Sequence, residues 1–123
     1  MKIIEAITQI DNLKHNTYSQ NDKVQWLSRL DSNVKRLVID THEGGEEVRF
    51  TGYTAETDPN TVMLVEEPFD EVYLRYLEMQ IDYANGEIEK YNNSAMLYNE
   101  AWLAFQNYYN RTHMPKGQKM KFF

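Results

Sequence analysis

Two adjoining segments near the C-terminus carry apolar residues along two helical faces instead of one. In the first segment, the aliphatic stripe consists of Leu74, Leu77, Ile81, Ala84 and Ile88. The other stripe is mostly aromatic and consists of Phe69, Tyr73, Tyr76, Gln80 and Tyr83. In the second segment, the two stripes are Tyr91, Ala95, Tyr98, Trp102, Phe105 and Tyr109, and Leu97, Ala101, Ala104 and Tyr108. Because a surface helix of a monomer needs one apolar stripe, these helices must be covered on more than one side.

The second stripe can be covered by other helices of the same chain or by another protein molecule. Tyrosine and tryptophan are enriched in the cores of protein interfaces, which favours the second possibility. The sequence therefore predicts a subunit interface formed by Tyr73, Tyr76, Tyr83, Tyr98, Trp102 and Tyr109. The alternative is that a small bundle buries both stripes within one chain.

The spacing of apolar residues predicts four helices. The first covers an isoleucine-rich run from residue 3 to residue 13, and the second begins at a capping box headed by Thr17 or Ser19. The glycine pair at 44–45 ends the second helix. Pro68 opens the third helix, because a proline at the first helical position loses no hydrogen bond.

The corner between the third and fourth helices has two candidate positions. Residues 85–86 are Asn-Gly, but a glycine within a helix costs only about 1 kcal/mol, so a break there is not required. Residues 92–94 are Asn-Asn-Ser, and we expect the corner at that position. The fourth helix then ends near Arg111, since Pro115 prevents continuation.

Strand-like patterns occur only between the second and third helices. Residues 46–53 alternate around Val48 and Phe50, residues 61–65 are β-branched at both ends, and a turn-rich connection lies between them. An isolated two-stranded hairpin is marginal in water, so this segment should rest on the helices or on another subunit. The predicted fold is mainly α: a small four-helix bundle with a short irregular β-hairpin or arm between helices 2 and 3.

The charge distribution divides the chain into an acidic body and a basic end. The formal net charge is −6, and the residues before Arg111 contain nine basic and 19 acidic side chains, a net charge of −10. We expect one helical domain over residues 1–113 and a basic, flexible tail over residues 114–123. An acidic body repels phosphate backbones, so general nucleic-acid binding is disfavoured.

Residues that carry out chemistry are sparse and scattered. The chain has no cysteine, and His15, His42 and His113 have no partner at the i, i+4 spacing of a helical metal pair. The glycine pair at 44–45 lacks the lysine of a phosphate loop. We therefore expect no enzyme activity, no metal and no cofactor. No stretch approaches the ~20 apolar residues of a membrane span, so we expect a soluble intracellular protein.

Several short runs resemble a small protein of tailed-phage and prophage structural modules. The runs are residues 16–19 (NTYS), 26–31 (WLSRLD), 50–53 (FTGY), 80–87 (QIDYANGE), 90–94 (KYNNS) and 108–115 (YYNRTHMP). They are spread from residue 16 to residue 115, so the resemblance extends over nearly the whole chain. The runs are similar to the head-to-tail connector family, also called adaptor or head-completion proteins.

This resemblance implies a structural role in the virion. Family members form a dodecameric helical ring beneath the portal protein, extend the DNA channel and support a tail or head-completion protein. For this chain, the resemblance implies assembly in the bacterial cytoplasm, as a ring on the portal and as a monomer or ring when isolated. It also implies that DNA passes through an acidic channel without specific binding. The basic tail would dock on the portal through Lys116, Lys119, Lys121, Phe122 and Phe123.

Other functional classes remain open from the sequence. The main alternative is a small acidic helical module that sequesters a basic protein partner. An accessory subunit for nucleic-acid processing would need a basic patch beyond the tail. Within phage modules, a neighbouring tail-completion protein or a minor capsid factor also fits the pattern.

Overall fold

Four α-helices account for most of the computed structural model, which describes residues 1–116. They are α1 (Ile3–Leu13), α2 (Gln20–Asn33), α3 (Glu71–Ala84) and α4 (Ile88–Thr112). The prediction of a mainly helical bundle is confirmed. Among residues 1–116, no helix is both long enough and apolar enough to cross a membrane.

Helix α3 is the central element of the bundle. It packs against α1, α2 and α4, and seven of its residues are buried: Val72, Tyr73, Tyr76, Leu77, Met79, Ile81 and Asp82. Helices α1 and α2 contribute isoleucines and leucines to the same core, at the helical spacing seen in the sequence. Both stripes of α3 are therefore largely covered by the chain itself, as a helix in the middle of a bundle requires.

Helix α2 begins as predicted and ends differently. The Ser19 hydroxyl accepts a hydrogen bond from the backbone N–H of Asp22 at 3.1 Å, which confirms a cap at this residue. Beyond Asn33 the helix continues as a wider π-helical turn over Val34–Val38 and then as a 3₁₀ turn over Ile39–Thr41. Gly44, with a φ of +81°, then turns the chain away.

The predicted β-hairpin is wrong, because residues 46–65 contain no paired strands. Their backbone groups bond to the helices and the N-terminus instead. The N–H of Met63 donates to the carbonyl of Met1 at 2.9 Å, and the N–H of Ile3 donates to the carbonyl of Thr61 at 3.0 Å. Side chains of α2 and α3 accept further N–H groups, so this segment is a loop fastened to the bundle.

Asp31 on α2 fastens that loop from inside the core. It has no solvent exposure and accepts hydrogen bonds from the hydroxyls of Tyr53 at 2.5 Å and Tyr73 at 2.7 Å and from the N–H of Leu64 at 3.1 Å. The Tyr73 hydroxyl also accepts the N–H of Val65 at 2.7 Å. Burial raises the pKa of Asp31, although these donors oppose the increase.

The predicted corner between the last two helices is also wrong. The chain turns at residues 85–87, where Gly86 adopts a φ of +73°, and α4 runs through residues 92–94 without a break. Ser94 is buried within α4, and its hydroxyl lies 2.8 Å from the carboxylate of Asp82 and 2.9 Å from the carbonyl of Lys90, so its single proton is shared between these two acceptors. The third helix begins at Glu71, three residues after Pro68.

The adjacent glycines at the end of the α2 segment provide a matched stability test. A Cβ on Gly45 would lie 2.2 Å from the backbone oxygen of Ile39, whereas a Cβ on Gly44 would meet no atom within 4 Å. We expect Gly45→Ala to destabilise the fold by about 2–3 kcal/mol, because backbone must move to relieve the overlap. Gly44→Ala should cost about 1 kcal/mol through its positive φ alone. Equal effects in urea unfolding would contradict this difference.

Candidate interaction surface

Helix α4 is long, weakly charged and largely uncovered. Of its 25 residues, all described, only Ser94 and Phe105 are buried. Between Tyr91 and Asn110 the only charged residue is Glu100. Helix α4 packs mainly against α3, so one side of this apolar helix faces away from the bundle.

The structure divides the predicted interface residues into two groups. Tyr73 and Tyr76 are buried in the core, so in this fold they are not available to a second subunit. Tyr83 is 69% exposed, and Tyr98, Trp102 and Tyr109 are half-buried along the margin of α4. Only the second group can contribute to a contact between molecules.

The half-buried rings form a continuous row along α4. Tyr98 lies 5.3 Å from Tyr76 of α3 and 6.4 Å from Trp102, measured between ring centroids. Trp102 lies 6.0 Å from Phe105, which lies 5.9 Å from Tyr109. Burial, and secondarily Tyr76, raises the pKa of Tyr98, so its hydroxyl stays neutral at physiological pH. The row is therefore uncharged and partly exposed along α4.

The outermost face of α4 carries aliphatic side chains between asparagines. Met96 and Leu103 are seven positions apart, about two helical turns, so they lie on the same side of the helix, and they are 55% and 53% exposed. Asn92, Asn99 and Asn107 are exposed around them, and Glu100 is the one charged residue on this face. Depletion of charge combined with exposed apolar groups distinguishes interface cores from ordinary surface.

A groove of about 440 Å³ lies at the C-terminal end of α4. Its walls come from three parts of the chain, and the lining residues are Ile39, Val48, Leu64, Glu66, Phe69, Phe105, Tyr108, Tyr109 and His113. Phe69 stacks on Tyr108 with ring centroids 4.5 Å apart, which fixes one wall. The groove is therefore mainly aromatic and aliphatic, with the Glu66 carboxylate on its lining.

A buried histidine holds α4 against the end of the α2 segment. His42 is 2% exposed, with Nδ1 2.6 Å from the carbonyl of Val38 and Nε2 2.9 Å from the Asn110 side chain. Its ring packs edge-on against Tyr109, which stacks on His113 at 3.7 Å between ring centroids. These contacts orient Tyr109 and His113, two of the aromatic residues that line the groove.

Two carboxylates affect the pKa of a tyrosine in the groove. Burial, and then the negative charges of Glu66 and Asp40, raise the pKa of Tyr109. Within residues 1–116, no lysine, arginine or histidine lies at ion-pair distance from Glu66. Glu66 and Asp40 are therefore the carboxylates whose charges act on Tyr109 in the groove.

Sequence patterns did not reveal this groove. Glu66, His42 and His113 come from distant parts of the chain, and the spacing of residues along one helix gives no signal for such a convergence. His42 bonds the last turns of the α2 segment, as expected for a residue near a helix end, but it is buried. Within the described part of the chain, no three histidine, aspartate or glutamate side chains form a metal-binding group.

The predicted basic tail lies mostly outside the described residues. Its first three residues are attached to the body: the carbonyl of Met114 accepts the N–H of Glu43 at 2.8 Å, and the N–H of Lys116 donates to the carbonyl of Thr41 at 3.0 Å. The ammonium of Lys116 lies 3.7 Å from the carboxylate of Glu46. Of the predicted portal-docking residues, Lys119, Lys121, Phe122 and Phe123 lie outside the described residues.

Comparisons with protein-family models, curated proteins and solved structures found no match to the chain.

Proposed function

We propose that this chain is a structural subunit that assembles with copies of itself through α4. The observation that supports this proposal most directly is the 20-residue stretch from Tyr91 to Asn110, which has one charged and two buried side chains. A monomer has no need for such a surface, whereas an assembly gains free energy by removing Met96, Leu103 and the margins of the aromatic row from water.

The dimensions of α4 suit a contact between neighbours in a ring. A helix of 25 residues is about 37 Å long, which can cross the full side of a subunit of this size. Stable interfaces remove about 800 Å² from each partner, so the contact must extend beyond α4. The exposed ring of Tyr83, at the end of α3, is in position to extend it. Closed rings form when such contacts join different faces of successive subunits.

We propose further that the assembly is a phage or prophage head-to-tail connector, a ring beneath the portal that extends the DNA channel. Three features support it: the runs of residues that resemble the connector family, an apolar α4 surface suited to a neighbour, and an acidic body. A net charge of −10 before Arg111, repeated around a channel, would let DNA pass without binding. In this proposal the tail, including Lys119 and Lys121, docks on the portal.

The test is to mix the purified chain with portal rings encoded beside its gene and to measure stoichiometry by native mass spectrometry and negative-stain electron microscopy. We expect a ring of copies on the portal, even if the isolated chain is monomeric. No binding to such a portal would reject the connector assignment. A small complex with a basic protein that dissociates in salt would instead support the sequestering module.

Replacing the outer aliphatic residues of α4 should abolish this assembly. We expect Met96→Glu/Leu103→Glu to reduce ring occupancy on the portal at least tenfold, because two carboxylates would be placed in an apolar contact. Both side chains are more than half exposed, so the fold should be retained. The control is Asn21→Glu/Gln25→Glu, which adds the same charge to an exposed face of α2. Equal occupancy for the two variants would exclude α4 from the interface.

A further inference from the structure

The groove at the end of α4 combines apolar walls with a carboxylate. Leu64 and Val48 supply aliphatic surface, Tyr108 and Tyr109 supply aromatic surface, and Glu66 is the acidic group on the lining. The exposed Glu66 carboxylate is not neutralised by any cation among residues 1–116.

These features match the chemistry of a long cationic side chain. Lysine and arginine bury their methylene stems along apolar surface while their charged ends stay near water or a counter-ion. A cation over a tyrosine ring gains about 0.5–2 kcal/mol, and an arginine can also form a paired hydrogen bond with a carboxylate. A neutral or acidic ligand would leave Glu66 unpaired or repelled.

We propose that this groove binds a lysine or arginine side chain from a basic segment of a partner protein. The stem lies against Leu64 and Val48, and the charged end reaches Glu66 beside the ring of Tyr108. A volume of about 440 Å³ is within the range of clefts that hold small ligands, so it accommodates one side chain with part of its backbone. The proposal is independent of ring formation, because it requires only the groove.

The groove is held in shape before a ligand arrives. Phe69 fixes Tyr108 by stacking, and His42 fixes Tyr109 through edge-on packing and through its contact with Asn110. Helix α4, the segment after α2 and the loop before α3 are thereby joined at this point. A preformed site loses little free energy in ordering its own residues when a ligand binds.

The binding test uses a synthetic peptide, acetyl-Ala-Gly-Leu-Arg-Leu-Gly-Ala-amide, titrated into ¹⁵N-labelled full-length chain. We expect amide shifts at Glu66, Tyr108 and His113. The same peptide with citrulline in place of arginine has nearly the same shape without charge, and it should bind at least fivefold more weakly. Equal affinity for the two peptides, or no shifts at these residues, would overturn the proposal.

Substitutions in the groove separate a specific site from general attraction to an acidic protein. Glu66→Gln should weaken the arginine peptide at least fivefold, whereas Glu67→Gln, at the next exposed carboxylate, should change its affinity less than twofold. Equal losses in the two variants would indicate non-specific attraction and reject the site. Tyr108→Leu should also weaken binding at least threefold while the citrulline peptide changes little, because the cation–π contact is lost.

A chain truncated after Lys116 distinguishes a partner from the chain's own basic end. We expect the arginine peptide to bind the full-length and truncated chains with affinities within threefold of each other. Binding that appears only after truncation would assign the groove to the chain's own C-terminal residues and overturn its assignment to a partner.

Discussion

Asp31→Ala is expected to lower the free energy of unfolding by about 3–5 kcal/mol. The substitution leaves the hydroxyls of Tyr53 and Tyr73 and the N–H of Leu64 inside the core without their acceptor. Each buried donor left unsatisfied costs about 1–3 kcal/mol, reduced where water can enter. Since small domains have about 5–15 kcal/mol of total stability, this one residue accounts for a large fraction of it.

The measurement is urea unfolding followed by circular dichroism, with a matched substitution on the same helix. Asn33→Ala removes a polar side chain of similar size at an exposed position, and we expect a change of about 0.5 kcal/mol or less. The melting temperature of Asp31→Ala should fall by about 12 °C or more. A loss below 1 kcal/mol would show that Asp31 does not hold the loop to the bundle.

The pH dependence of the Asp31→Asn variant identifies the carboxyl group itself. Burial raises the pKa of Asp31 above its ordinary value, so the folded state binds this proton more readily than the unfolded chain does. Its contribution to stability is therefore fully present below the unfolded pKa of 3.8 and declines as the pH rises through the folded pKa. The stability advantage of the wild type over Asp31→Asn should decrease in the same direction, and an advantage that grows with pH would contradict this sign.

Local patterns in the sequence predicted the helices but not how the chain connects them. The spacing of Ile3, Ile7 and Ile10 identified the core face of α1, and Ser19, one of the two candidate caps, is the cap of α2. Such signals join residues that are one or two helical turns apart. The hairpin was wrong because Asp31 and Tyr73, distant in sequence, bind the backbone N–H groups that a partner strand would otherwise have used. Alternation along a segment does not indicate what its backbone bonds to.

The same limit applies to the corner between α3 and α4. Residues 92–94 contain helix-disfavouring types, yet Ser94 lies within α4, where its hydroxyl contacts the carboxylate of Asp82 on α3 at 2.8 Å. The chain turns at Gly86 because glycine readily adopts the positive φ found there. The contact between Ser94 and Asp82 stabilises the helix at residues 92–94. Helix propensities of single residues do not include such contacts between helices.

The sequence predicted that both α3 and α4 contribute aromatic residues to a subunit interface, but two of the three predicted residues on α3, Tyr73 and Tyr76, are buried in the core. The double stripe on α3 reflects a helix covered on two sides, with Tyr73 directed at Asp31 and Tyr76 at Tyr98. The stripes on α4 are mostly half-buried, and the exposed aliphatic residues Met96 and Leu103 lie outside both of them. Composition alone cannot distinguish these cases. The groove with Glu66 was not visible at all, because it depends on three segments that meet only in the fold.

Lys14→Met is expected to destabilise the fold by about 2–3 kcal/mol. The ammonium of Lys14, at the end of α1, lies 2.7 Å from a carboxylate oxygen of Asp82, and the other oxygen of Asp82 accepts the Ser94 hydroxyl at 2.8 Å. The side chain of Asp82 is only 2% exposed, whereas that of Lys14 is 24% exposed. Removing the cation leaves a buried carboxylate without its partner, which costs about 3–5 kcal/mol in a fully buried pair and less where water reaches one side.

The control and the double variant determine whether the charge or the side-chain packing matters. Lys90→Met makes the same replacement in an exposed pair with Glu87, and it should leave the free energy of unfolding nearly unchanged. Adding Asp82→Asn to Lys14→Met removes the unpaired charge, while the amide oxygen can still accept the Ser94 hydroxyl. The double variant should therefore recover at least half of the loss in urea unfolding. If Asp82→Asn instead adds its own full cost, the two residues are not coupled, and the junction of α1, α3 and α4 depends on apolar packing rather than on this ion pair.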